Sequence, residues 1–211
     1  MELTASSQNE PLDLEELAAR EEEAVVRGLS SLAFLRSQGR TLLAQSQLKF
    51  VDFMWSDVYA TLQLVQTQAQ FDQTHNEWVS RLRNLLRTSR GGELSFGQGQ
   101  KSLNVALKFI VDWTGRPSCE TAESLRPLLH CPLDRVVMSR LRHHDPQEFS
   151  RRIRPFYRGI YGPQLMSLSR MDEAAYRAWQ SWIRDLIPSK PALLDIVWVF
   201  ERPGALPILG E

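Results

Sequence analysis

The chain has few of the residues that usually announce a chemistry. Its 211 residues hold two cysteines, Cys119 and Cys131, and four histidines. Two cysteines cannot build a four-cysteine zinc site or iron–sulfur cluster, and they do not make a disulfide framework. A mixed site would need the histidines. His143 and His144 are adjacent and His75 lies far from both, so the spacing points to no metal and no cofactor. Long apolar runs are missing too. Stretches such as Ala192–Leu194 and Ile196–Phe200 are a few residues long, against the ~20 that a membrane span takes, so no membrane partner is expected. The acidic start resembles neither a secretory signal nor an Arg-rich transit peptide, and a cytoplasmic location is the expectation. Lysine is scarce as well. Lys49, Lys101, Lys108 and Lys190 are the four among 25 basic residues, so each one draws attention.

What is present reads as an ordinary globular chain, 43% hydrophobic and 24% charged. Its length favours one domain and lets a core form without staples. The charge sums to zero but is unevenly spread. Residues 1–25 carry eight acids against Arg20, while residues 135–184 carry ten arginines against four acids. Such a basic face permits an anionic partner. Residues 1–11 read as a flexible N-terminus. Residues 12–211 read as a single helical domain, or as two helical lobes flanking a cleft. Apolar residues recur at helical spacing over Leu12–Leu35, Leu42–Phe71, from Thr74 or His75 through Leu86, and over Met171–Ile187. A turn of helix is expected near Glu120–Leu125, and Pro132 suits the first position of a helix over Pro132–Arg142. Pro191–Phe200 reads as a last short helix, or as a strand over Ile196–Phe200. The expected architecture is all-α, a compact bundle of short and medium helices.

The segment Phe96–Val137 carries the densest candidate chemistry. Gly91, Gly92, Gly97 and Gly99 fall within Ser89–Gln100, which reads as a loop. A helix is then expected from near Lys101 to about Trp113. Lys101, Asn104 and Lys108, at i, i+3 and i+7, would share one face, with Leu103, Ala106, Leu107 and Ile110 buried. A lysine at the positive end of a helix dipole carries an unwelcome second positive charge, and a less protonated amine is a better nucleophile. Free N–H groups at the same point suit a phosphate. Asp134 would open the later helix. His130 and Cys131 read as packing or turn residues.

Two short motifs carry a resemblance. "QKSLNVALKF" (Gln100–Phe109) and "CPLDRVVM" (Cys131–Met138) place Lys101 and Asp134 33 positions apart. This pattern resembles the helix-hairpin-helix DNA glycosylases, closest to the archaeal 8-oxoguanine DNA glycosylase family, over about 40 of the 211 residues. The resemblance implies a helix-hairpin-helix-like element near residues 78–113. It implies that Lys101 attacks the sugar of a flipped oxidised purine and forms a Schiff base, with Asp134 stabilising the cationic sugar. The apolar residue usual between the hairpin glycines is replaced here by Gln98.

Contacts to damaged, double-stranded DNA would come from Gly97, Gly99, Gln100, Lys108, Arg135, Arg151, Arg152 and Arg154, the last three in the stretch Arg151–Arg158, which interleaves arginines with Phe156 and Tyr157. Gln63, Gln66, Trp55 and Trp113 are candidates for a base pocket, and the chain would act as a monomer without a cofactor. The alternative is a non-enzymatic helical module that binds nucleic acid or another protein with the same arginines and no reactive lysine.

Overall fold

The computed structural model describes residues 13–38, 42–43 and 45–195, and among these it is all-α. An isolated antiparallel bridge, Leu42–Thr88, is the one extended pairing there. The expected flexible segment 1–11 and the helix-or-strand alternative at 196–200 lie outside the described residues.

Helix α1 (Leu14–Gln38) is capped by the Asp13 carboxylate, which accepts from the Glu15 and Glu16 N–H groups. It buries Val26, Ser30, Ala33 and Phe34 at helical spacing. Helix α2 (Ser46–Phe53) widens into a π-helical turn, Met54–Tyr59, and ends at Ala60–Leu62. It therefore stops short of the long pattern read over Leu42–Phe71. The chain breaks at Gln63–Thr67 because Thr67 and Gln70 form a reciprocal capping box that opens α3 (Gln68–Leu85). That restart leaves Ala69 exposed and puts Phe71, His75, Trp78 and Leu82 inside.

A second capping box corrects the next boundary. Ser95 Oγ accepts from the Gln98 N–H at 3.1 Å, and Gln98 Oε1 accepts from the Ser95 N–H at 3.0 Å. Helix α4 (Phe96–Lys108) thus begins five residues before Lys101, and Gly97 and Gly99 are helical rather than loop. A π-helical turn, Phe109–Trp113, extends it until Gly115, at φ +66°, provides the left-handed residue that ends it. Short helix α5 (Cys119–Leu125) follows where a turn of helix was expected. Helix α6 (Arg135–His144) starts later than Pro132, because Asp134 itself is its N-cap. After a series of single turns, α7 (Glu173–Leu186) is capped by Asp172. It faces the core with Ala175, Trp179, Trp182 and Ile183.

Helix α4 sits at the centre. It packs on α1, α3 and α7 and on the turns Leu168–Arg170 and Pro191–Leu193, so it is buried on nearly every side. Its glycines serve that closeness. A Cβ on Gly97 would stand 2.5 Å from the Leu168 carbonyl oxygen and 2.8 Å from Met171 Cβ, while one on Gly99 would meet Val79 Cγ1 at 3.2 Å. Alanine is the better helix former by ~1 kcal/mol, yet overpacking costs about 1–3 kcal/mol. Gly97→Ala is therefore expected to lower the urea midpoint clearly, and Gly99→Ala by less. Equal or raised midpoints would show that α4 has room to move away from the Leu168–Met171 segment and from α3.

Candidate functional site

Lys101 leaves α4 on the side facing α1 and enters a cleft of ≈ 290 Å³ shared by Asp134, Arg36, Lys108, Asp195 and Trp113. Its Nζ lies 3.7 Å from Asp134 Oδ2, with the lysine side chain 21% and the aspartate 34% exposed. Asp134 is held from the other side. Its Oδ1 accepts from the N–H groups of Val136 and Val137 at 2.8 and 2.9 Å, capping α6. One oxygen is thus fixed by backbone and the other is turned to the amine. Trp113 stacks on Phe109 (4.1 Å between rings, 27°) and is half-exposed at the cleft. A wall of two aromatic rings beside an amine and a carboxylate can hold a planar ring near a nucleophile and an acid–base group.

Other predicted site residues fall elsewhere. The Gly97 N–H donates to the Met171 carbonyl and the Gly99 N–H to the Ser95 carbonyl, both at 3.1 Å. These donors are already used, so Gly97 and Gly99 make no phosphate-binding hairpin. The glycine turn that does exist lies at Gly91–Gly92, where the Thr88 N–H donates to the Gly92 carbonyl. Lys101 stands in the second turn of α4, away from the dipole end, which removes the dipole argument made for its amine. Gln100 is fully buried and faces the interior. Lys108 is buried in an ion pair with Asp195 at the cleft. Asn104 does not share the Lys101 face. It points to a buried polar cluster on another side of the helix.

The basic segment is largely engaged with its own surroundings. Arg151 and Arg152 pair with Glu148, Arg152 also pairs with Asp185, and Arg154 donates to the carbonyls of Tyr157 and Ile160. Tyr157 is buried and Phe156 is 44% exposed. Arg135 is exposed on the first turn of α6. Gln63 and Gln66 are exposed between α2 and α3, and Trp55 stacks on Tyr59. None of these three lines the cleft, so Trp113 is the one base-pocket candidate that the fold brings to Lys101 and Asp134.

The buried cluster was not anticipated. His75 Nε2 donates to Asn104 Oδ1 at 2.7 Å, which fixes the tautomer and leaves Nδ1 without a partner. Asn104 Nδ2 donates to Gln100 Oε1 and to the Tyr176 hydroxyl, both at 2.8 Å. That hydroxyl donates to His130 Nδ1, and His130 Nε2 donates to Asp72, again at 2.8 Å. Burial holds both imidazoles below their usual range, reinforced at His75 by neighbouring His130 and opposed at His130 by Asp72. Burial pushes the Asp72 carboxyl up, but its hydrogen bonds from His130 and Gln68 and the Arg184 charge outweigh this and hold it below the carboxylate range. No spacing rule joins residues 72, 75, 104, 130 and 176, so sequence alone offered no signal. Among the described residues, no group of three or more His, Cys, Asp or Glu side chains could hold a metal ion. No helix there is long and apolar enough to cross a membrane.

No protein-family profile, curated protein or solved structure matches the chain.

The histidines set a pH dependence. In the unfolded chain each ring takes up a proton near pH 6.5, while in the fold burial puts that uptake at lower pH. Stability is therefore full above about pH 6.5 and falls as the pH drops below it, by at most ~1.4 kcal/mol per pH unit for each ring. Asp72 acts only lower, losing its contribution below the ordinary carboxylate range. Thermal melts are expected to show Tm dropping from pH 7.5 to pH 5. A flat Tm over that window would mean that the two rings titrate freely in the native state. Lys108→Gln removes the buried cation that meets Asp195, and a urea titration should register a clear loss of stability.

Proposed function

We propose that the chain is a DNA glycosylase/lyase that removes an oxidised purine of the 8-oxoguanine kind through a lysine Schiff base. The observation that carries this reading is the 3.7 Å approach of Lys101 Nζ to Asp134 Oδ2 in one cleft. Both groups must act at a single sugar carbon, so a shared cleft is the first requirement of the chemistry. Lys101 has to shed a proton to become a nucleophile, and the Asp134 carboxylate is the acceptor within reach. The Nζ–C1′ bond then forms as the C1′–N9 bond breaks, and the purine leaves with the bonding electrons and takes up a proton. The C1′–O4′ bond then breaks as the Nζ lone pair closes the C1′=Nζ imine, and the ring oxygen leaves with the bonding electrons and takes up the proton that Nζ releases. Asp134 stabilises the positive charge that develops on the sugar, and Trp113 offers its exposed ring face to the extruded base. The volume of ≈ 290 Å³ lies at the small end of ligand pockets, about 300–1,000 Å³, which suits one nucleotide rather than a duplex.

A second reading, a non-enzymatic interaction module, is favoured by a different observation. Leu32 and Leu35 near the end of α1 and Leu48 of α2 are exposed, and apolar side chains left at a surface serve partner binding where they join into a patch.

Lys101→Gln separates the two. In the glycosylase reading this variant forms no borohydride-trapped adduct with a duplex bearing 8-oxoguanine or an abasic site. It keeps DNA affinity within a few-fold, because one charge is worth little of the total. Asp134→Asn should slow base removal strongly while the fold persists, since asparagine also caps a helix. Trapping by Lys101→Gln at the wild-type rate would sink the enzyme reading.

A further inference from the structure

The Lys101–Asp134 approach depends on a stretch of chain with no regular structure of its own. Residues Leu129–Leu133 lead into Asp134 without helix or strand, yet all five are buried. Such a segment is located by whatever satisfies its backbone. Gln180 of α7 grips Cys131 at two points, its Oε1 accepting from the Cys131 N–H at 2.9 Å and its Nε2 donating to the Cys131 carbonyl at 2.8 Å. From the opposite side the grip comes from α4. Asn104 Nδ2 reaches the Cys131 carbonyl and Gln100 Nε2 the Leu133 carbonyl, each at 3.3 Å. Gln100 immediately precedes Lys101, and Leu133 immediately precedes Asp134. The two functional side chains are therefore neighbours, along the chain, of two groups that hydrogen-bond each other.

We propose that Gln100, oriented by Asn104, is a positioning residue that sets the separation of Lys101 and Asp134. The inference rests on the reading of those two as the working pair. The Gln100–Leu133 bond ties the helix carrying the amine directly to the backbone carrying the carboxylate. Gln100 is itself held, its Nε2 also donating to the Gly97 carbonyl at 3.0 Å and its Oε1 accepting from Asn104. Asn104 in turn is locked by His75 and Tyr176. The buried cluster thereby has a role that reaches the cleft. It holds two amide side chains at the angle that fixes the Asp134 segment, where a loose ion pair at 3.7 Å could not.

The test uses the full chain and Gln100→Met, which keeps the side chain's length and removes both donated bonds. Ser118→Ala serves as the control for lost stability, since Ser118 is the N-cap of α5. Two quantities are read. One is the single-turnover trapping rate on an abasic-site duplex at saturating DNA, with Kd measured in parallel. The other is the rate at which an acylating reagent labels Lys101 in the free protein, followed by mass spectrometry with helicity checked by circular dichroism. Gln100→Met is expected to slow trapping about 10- to 100-fold with Kd within threefold, and to change Lys101 labelling several-fold. Ser118→Ala should change neither. If the wild type traps DNA through Lys101 and Gln100→Met does so equally fast, the positioning role is wrong and the glycosylase reading stands. If the wild type gives no lysine adduct at all, that reading falls. Lys101 labelling then decides the positioning role, a changed rate supporting it and an unchanged rate overturning it.

Discussion

A helix buried on nearly every side can carry polar side chains only where each finds a partner, since an unpaired buried polar group costs about 1–3 kcal/mol. Helix α4 carries Gln100, Asn104 and Lys108 into the interior, and the arrangement around it answers that requirement. Lys108 meets Asp195. Asn104 meets His75, Tyr176 and Gln100. Gln100 meets the carbonyls of Gly97 and Leu133. The partners outside α4 come from different parts of the chain, so satisfying one helix fixes α3, α7 and the segment before α6 relative to one another.

The same requirement gives the molecule an interior in two regimes. On one side of α4, neutral histidines, amides and a phenol share hydrogen bonds in a nearly dry environment, and burial keeps both imidazoles uncharged. On the other side a partly open cleft holds Lys101, Asp134 and Asp195, which still see solvent, beside the buried Lys108. The helix lies between them. A change in the dry cluster has a route to the open cleft through Gln100 and the Leu133 carbonyl, and that route needs no moving part.

Legibility in the sequence divided along the range of the interaction. Periodicity located α1 and α7, and Trp179 and Ile183 face the core at the spacing that placed them there. The short helix Cys119–Leu125 was visible as well. Helix starts were misplaced although their signals were present, at α3 and α4 as well as at α6, which Asp134 caps. Thr67 with Gln70 and Ser95 with Gln98 are capping boxes, but glycine-rich composition and a continuous apolar stripe argued for a loop and for one long helix. Gly97 and Gly99 misled for a physical reason. Glycine marks flexibility in an isolated chain, whereas in a packed helix it marks where another backbone comes close.

The sequence by itself determined the helical class and most of the core faces, because these follow from local propensity and from periods of three to four residues, while Lys101 and Asp134 stood out through the resemblance carried by two short motifs. Only the tertiary structure decided that the two side chains meet, at 3.7 Å in one cleft. It decided also that Trp113 stands beside them while Trp55, Gln63 and Gln66 do not, that Lys108 is buried, and that Asn104 joins His75, His130 and Tyr176. These placements depend on contacts between residues 29 to 101 positions apart. At that separation a pairing is set by how helices pack around a shared core, and no repeat in the chain encodes it.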